Sequence, residues 1–154
     1  CKKGECRMAQ RMYNHRLDAK NRMRMPPKVR EKIGDGYAIT IGTRGCLYVL
    51  TKSEYEKIQV AASAGSRYDP EVQDFASTIA AFSCEVEEDN QGRLLLPAPL
   101  KKLAQIDKDI LILDTFNGVE IWAQEVWDKK MENFSFGDFD KKLSSLSSSG
   151  KLPL

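Results

Sequence analysis

The chain predicts an α+β fold made of two closely paired copies of one unit of about 45 residues, and three observations carry this. Asp18-Ala-Lys-Asn-Arg-Met-Arg-Met-Pro26 returns 71 residues later as Asp89-Asn-Gln-Gly-Arg-Leu-Leu-Leu-Pro97, with Asp, Arg and Pro at the same spacing. At an offset of 72, Ala38-Ile-Thr-Ile41 matches Ile110-Leu-Ile-Leu113, and Leu47-Tyr-Val-Leu50 matches Val119-Glu-Ile-Trp122. Units this small do not cover their own strands, so the copies are expected to interlock around one shared core.

Taken in order, each copy is expected to run strand, loop, strand, helix, strand, strand, helix. The stretches between the repeated Arg and Pro read as short strands, each followed by a short helix. In the first helix Pro27 takes the first position, and Val29 and Ile33 share a face at i, i+4. In the second, Pro99 takes that position, with Leu100, Leu103 and Ala104 as the apolar face. The later strand pairs are rich in β-formers and flanked by turn residues. Thr51 and Glu54 form a capping-box pattern ahead of Tyr55 and Ile58, and Trp127 and Met131 mark the matching helix of the second copy. Between the copies, Ala61 to Gly65 reads as a break. Asp69-Pro70 then caps a helix whose face is Val72, Phe75, Ile79 and Phe82. The expected layout is a flexible segment over 1–11, copy one over 12–58, a helical connection over 59–81, copy two over 82–131 and a mobile, serine-rich tail over 132–154.

The net charge of +2 conceals an asymmetry: residues 1–36 hold eleven Lys or Arg against four acids, a net of +7. A basic front suits nucleic acid or an acidic partner. No apolar run approaches a membrane span, and the charged N-terminus lacks a signal-peptide core, so a cytoplasmic location is expected. The four cysteines have no zinc-site spacing and are read as reduced thiols, a Cys1–Cys6 disulfide being the alternative. The single histidine, His15, reads as a packing residue, and Glu85, Glu87 and Glu88 as a solvated face with Glu85 and Glu87 on one side of a strand. Gly34-Asp-Gly36 lacks the preceding strand of a phosphate loop, and Tyr48, Trp122 and Trp127 read as core. An enzyme is therefore not expected, nor a metal, cofactor or small-molecule substrate.

The repeated loop carries the chemistry. Asn21 precedes the Arg in copy one and Gly92 in copy two, the two residue types that best accept positive φ. A left-handed residue there closes a tight turn and aims Arg22 or Arg93. Asp18 and Asp89 hold the turn by Asx-type bonds to backbone N–H groups or by pairing with the Arg. Alternation along the strand points Arg22 and Arg24 outward and Met23 and Met25 inward, so Lys20, Arg22 and Arg24 form a cationic surface. The guanidinium either serves as an internal loop-stabilising partner or projects to meet phosphate or a guanine edge, for which its fork is suited.

At these residues the chain resembles the MraZ family, a branch of the AbrB-like regulators with two tandem Asp-x-Lys-Gly-Arg motifs, each followed by Pro four residues after the Arg. The likeness runs from about Tyr13 to Met131 and includes Tyr13-Asn-His15 before the first motif, Gly45-Cys-Leu47 and Val119-Glu-Ile-Trp122. The resemblance implies swapped-hairpin repeats forming a pseudo-two-fold, β-barrel-like core with flanking helices. It implies a nucleoid-associated bacterial transcriptional regulator of the division and cell-wall gene cluster, which binds double-stranded promoter DNA at repeated sites and assembles as a ring-shaped homo-oligomer. The DNA-facing role maps onto Lys20, Arg22 and Arg93; Arg24 is added from strand alternation. Asn21 stands for the family's usual Gly, Gln91 where copy one has Lys20, and Ile41 where members often carry Arg. With the acids from Glu85 to Asp89, these departures imply weaker binding by copy two. Residues 1–7 are expected to lie ahead of the family's usual start at Met8. Two or three cations per chain are too few for tight binding, so assembly is expected to be part of the mechanism. The alternative is a self-assembling interaction module with weak or lost DNA binding.

Overall fold

The computed structural model describes residues 4–6 and 8–153. Of the front segment, residues 1–3 and 7 lie outside the described residues, and so does the Cys1 side of the considered disulfide; Cys46 and Cys84 are free thiols. Copy one contributes β1 (Met12–Arg16), β2 (Arg22–Met23), α1 (Pro27–Ile33), β3 (Ala38–Ile41), β4 (Leu47–Leu50) and α2 (Lys52–Ala64). After α3 (Pro70–Ala81), copy two contributes β5 (Ser83–Glu85), β6 (Leu94–Leu95), α4 (Ala98–Leu103), β7 (Asp109–Thr115), β8 (Gly118–Ala123) and α5 (Gln124–Glu132), with α6 (Phe136–Ser148) following.

The strands exchange between copies. The main sheet runs β1-β7-β8-β4-β3-β5, and β2 pairs with β6 in a separate two-stranded ribbon. Each copy thus lends its first strand to the other's hairpin, and the order is unchanged when the copies are swapped. The barrel-like closure expected from the family does not occur: the sheet is open, with β1 and β5 as its edges. The pairing also corrects the sequence register. Val49 and Ile121, 72 apart, face Ile39 and Ile112 across their hairpins, so Ile39 corresponds to Ile112 at an offset of 73. The side-chain period of two explains the difference, because an offset of 72 sets Ile39 against Leu111, which lies on the opposite face.

One face of the sheet buries Ile39, Leu47, Ile112 and Ile121 against Met23 and Leu94 of the ribbon and Val29 and Leu100 of α1 and α4. The other face carries Leu111 and Trp122, against which Val126 and Trp127 of α5 pack, the indole rings edge-on with centroids 5.3 Å apart. Trp122 is fully buried, and its Nε1 donates to the buried Glu120 at 3.0 Å, whose other oxygen receives Arg44.

The capping box at Thr51 and Glu54 and the Asp69 cap of α3 are present. Four details differ from the sequence reading. α2 continues through Ala64, so the break before α3 is shorter than expected and the helix crosses the 58–59 boundary. α4 begins at Ala98, and Leu103 turns outward toward Phe82 at an apolar surface groove instead of joining Leu100 and Ala104 inside. β5 ends at Glu85, so Glu87 is not on the strand. Within the serine-rich tail, Ser135 caps α6 and the segment is helical, with exposed side chains including Phe136 and Phe139.

Candidate nucleic-acid interface

The two repeated loops have one backbone design. In each, the Asp Oδ1 accepts from the amides two and four residues on: Lys20 and Arg22 for Asp18, at 2.8 and 2.9 Å, and Gln91 and Arg93 for Asp89, at the same distances. The backbone closes between the first and fourth residues, Asn21 N to Asp18 O at 2.9 Å and Gly92 N to Asp89 O at 3.0 Å. Asn21 has φ 60° and Gly92 φ 74°. These are left-handed values that a β-branched residue does not accept at low cost. An Asx turn closed by a left-handed residue therefore aims the next side chain in both copies.

That next side chain first meets its own aspartate. Arg22 Nε donates to Asp18 Oδ2 at 3.1 Å, and Arg93 Nε to Asp89 Oδ2 at 2.9 Å. The internal pairing weighed from the sequence thus forms in both loops. It engages the Nε edge, and the terminal nitrogens of both guanidinium groups are not part of it. The antiparallel ribbon sets Arg22 opposite Leu95 and brings the loops together, so that Arg22 Nη1 lies 3.9 Å from Asp89 Oδ2. Asp89 stands between the two arginines. The pairs are half-exposed and contribute little net stability, so their role is to orient.

Hydrogen bonding also sets the carboxyl groups. The Arg22 amide N–H, opposed by partial desolvation and aided by the Lys20 amide and the Arg22 guanidinium, holds Asp18 below the usual carboxylate range. The Arg93 amide, with the Gln91 amide and the Arg93 guanidinium, does the same for Asp89. Both carboxylates are thus ionised and available as acceptors near neutral pH.

The structure places Lys20 and Arg24 exposed beside Arg22, which is half-buried rather than fully outward. Leu95, 57% exposed, takes the place in copy two that Arg24 holds in copy one. Two residues that the sequence reading left out complete the first loop. Lys101 Nζ donates to Asn21 Oδ1 at 2.9 Å, and Lys108 Nζ to the same oxygen and to the Asp18 carbonyl, both at 3.3 Å. Both lysines come from copy two. In the other direction Arg30, which stands in copy one where Lys101 stands in copy two, is held by Glu88 at 3.1 Å and by Asp35. Glu88 also accepts from the buried Tyr37 hydroxyl at 2.9 Å. Cations converge on the first loop, and next to the second a cation is neutralised by acids. Among the described residues no group of three or more His, Cys, Asp or Glu side chains is arranged to hold a metal.

The family model for MraZ protein, described as antitoxin-like, matches twice, over residues 8–76 and 79–147. The chain belongs to the MraZ family. Proteins named transcriptional regulator MraZ are similar to it over most of their length. The one from Clostridium beijerinckii is 36% identical over 135 residues, covering 87% of this chain and 95% of its own. The one from Thermoanaerobacter sp. is 34% identical over 136 residues, with the same coverage. That of Clostridium botulinum strain Alaska E43 is 37% identical over 131 residues, or 85% and 89% of the two chains. The two MraZ matches span the two structural copies and extend into α6 as far as residue 147, so the likeness reaches past Met131. No helix among the described residues is long and apolar enough to cross a membrane.

Proposed function

We propose that this MraZ-family chain is a transcriptional regulator that binds double-stranded DNA with its paired loops. Arg22 is the principal base or phosphate contact, Lys20 and Arg24 flank it, and Arg93 is a secondary contact. One observation carries this reading: two Asx turns lie side by side, each holding a guanidinium by its Nε and leaving the terminal-nitrogen edge outside that pair, with cations gathered around the first. Such an edge suits phosphate oxygens or the O6 and N7 acceptors of guanine. The names of the relatives support the regulatory role.

Few cations per chain give modest affinity, so the proposed regulator repeats its loops in a ring-shaped homo-oligomer over repeated sites in the promoter of the division and cell-wall gene cluster, close to the nucleoid. The test is a titration of a fragment of its own upstream promoter. Binding is expected to fall with salt, by about 0.9 log units per decade for each neutralised phosphate. Binding unaffected by Arg22→Ala and Arg93→Ala together would reject the loop assignment. The second reading, a self-assembling protein-interaction module with weak or lost DNA binding, is favoured by the neutralised second loop and by the exposed Phe134, Phe136 and Phe139 at α6. It predicts oligomers without DNA affinity.

A further inference from the structure

We infer that Asn21 is a specificity-determining residue, a hydrogen-bond donor to an acceptor on a DNA base edge, locked in that role by Lys101 and Lys108. The inference rests on the DNA-binding reading above and adds a contact that the loop's shape alone does not supply.

The carboxamide of asparagine has an accepting end and a donating end, and which faces outward is ordinarily free to change. Here it is not. The ammonium groups of Lys101 and Lys108 only donate, and both meet the same atom, Oδ1, at 2.9 and 3.3 Å. A flip would place an N–H₂ group against two cations. The backbone on which the side chain stands is equally fixed: the Asn21 amide donates to Asp18 O at 2.9 Å, and its carbonyl accepts from Leu96 N at 3.0 Å.

The other end, Nδ2, donates to no protein atom among the described residues. Asn21 is half-buried, yet no buried side-chain nitrogen or oxygen among those residues lacks a partner, so Nδ2 reaches solvent. It does so immediately before Arg22. A free asparagine can pair with adenine by offering donor and acceptor together. This one has its acceptor taken and can only donate, which suits the acceptors guanine O6 and N7, adenine N7 and thymine O4 and gives up the two-bond pairing with adenine N6 and N7. Gly92 has no such group, and Arg30, in the position of Lys101, is bound to Glu88 and Asp35 instead. The contact is therefore a property of the first loop alone.

The experiment compares full-length wild type, Asn21→Gly and Asn21→Asp on the promoter fragment and on random-sequence duplex of equal length. Glycine keeps the positive φ, as Gly92 does, and deletes the donor. Aspartate keeps both lysine bonds and replaces the outward N–H₂ with an acceptor. We expect Asn21→Gly to lower promoter affinity about five- to tenfold and leave random DNA nearly unchanged. Asn21→Asp should weaken both duplexes through its added charge and lower the ratio of promoter to random-DNA affinity further than Asn21→Gly does. The double variant Lys101→Met, Lys108→Met should lose discrimination too, and adding Asn21→Gly to it should cost little further, because the residues act as a unit. A purely structural role would leave the ratio of promoter to random-DNA affinity at its wild-type value in both Asn21→Gly and Asn21→Asp, and that result overturns the inference. Equal losses on both duplexes would mean a phosphate contact and overturn it as well. Wild type that binds neither duplex rejects the DNA-binding reading itself, which is a distinct result from wild-type binding with unaffected variants.

Discussion

In the loop from Asp18 to Arg22 the left-handed residue is an asparagine whose side-chain oxygen receives two ammonium groups from the opposite copy. In the loop from Asp89 to Arg93 it is a glycine, and Arg30, the nearest counterpart of those lysines, is held by Glu88 and Asp35. The two turns have hydrogen-bond lengths equal to within about a tenth of an ångström. Local geometry is carried by four or five consecutive residues and survives duplication. Electrostatic character is set by pairs of residues 58 to 87 positions apart in the chain, which the copies do not share. One scaffold can thus keep a binding geometry in both copies while concentrating affinity in one.

The largest effect should come from giving the first loop the surroundings of the second. Lys101→Glu with Lys108→Glu sets like charge against phosphate, and promoter affinity should fall on the order of 100-fold in a fluorescence-anisotropy titration. Glu88→Ala acts on the other side of the comparison. It leaves the buried Tyr37 hydroxyl without its acceptor and Arg30 with one acid fewer, and should cost about 1–3 kcal/mol of stability by urea unfolding while not lowering DNA affinity. Gln91→Lys restores the residue of copy one to copy two and should raise affinity about two- to fourfold, with a steeper salt dependence.

The smallest effect is with pH. Both loop aspartates have lowered pKa values in the folded chain, so their stabilising contribution is complete above the usual aspartate value of about 3.9 and is lost as pH falls through the lowered folded values. Urea midpoints should decline in that acid range, and Asp18→Asn with Asp89→Asn should flatten part of the decline. An identical profile in that variant would remove the carboxylates from the account of the turn.

Much of this is legible in the sequence. Hydrophobic pattern placed β3 and β4 at their observed limits, and the capping residues Thr51 and Asp69 marked two helix starts because capping is a local interaction. The shared tolerance of Asn21 and Gly92 for positive φ pointed to the turn. The copy-to-copy register at β3 and β7 was not legible, since Thr40 and Leu113 sit at matching places with dissimilar side chains, and similarity scored over a few apolar residues cannot separate neighbouring offsets. Closure of the sheet was expected from family likeness, and the strand order shows an open one. Leu103 has apolar periodicity but lies outside the core beside Phe82. Lys101 and Lys108 were missed because nothing in a lysine's own neighbourhood says that it will reach a loop in the other copy. The interlocking of the copies, which creates that reach, is legible in the sequence only in outline.

The most direct measurement is a pair of titrations of the promoter fragment with Arg22→Ala and Arg93→Ala at one salt concentration. The account predicts a loss of about tenfold or more for Arg22→Ala and under about threefold for Arg93→Ala. Equal losses, or a greater loss at Arg93, would contradict the claim that the first loop carries the DNA contact.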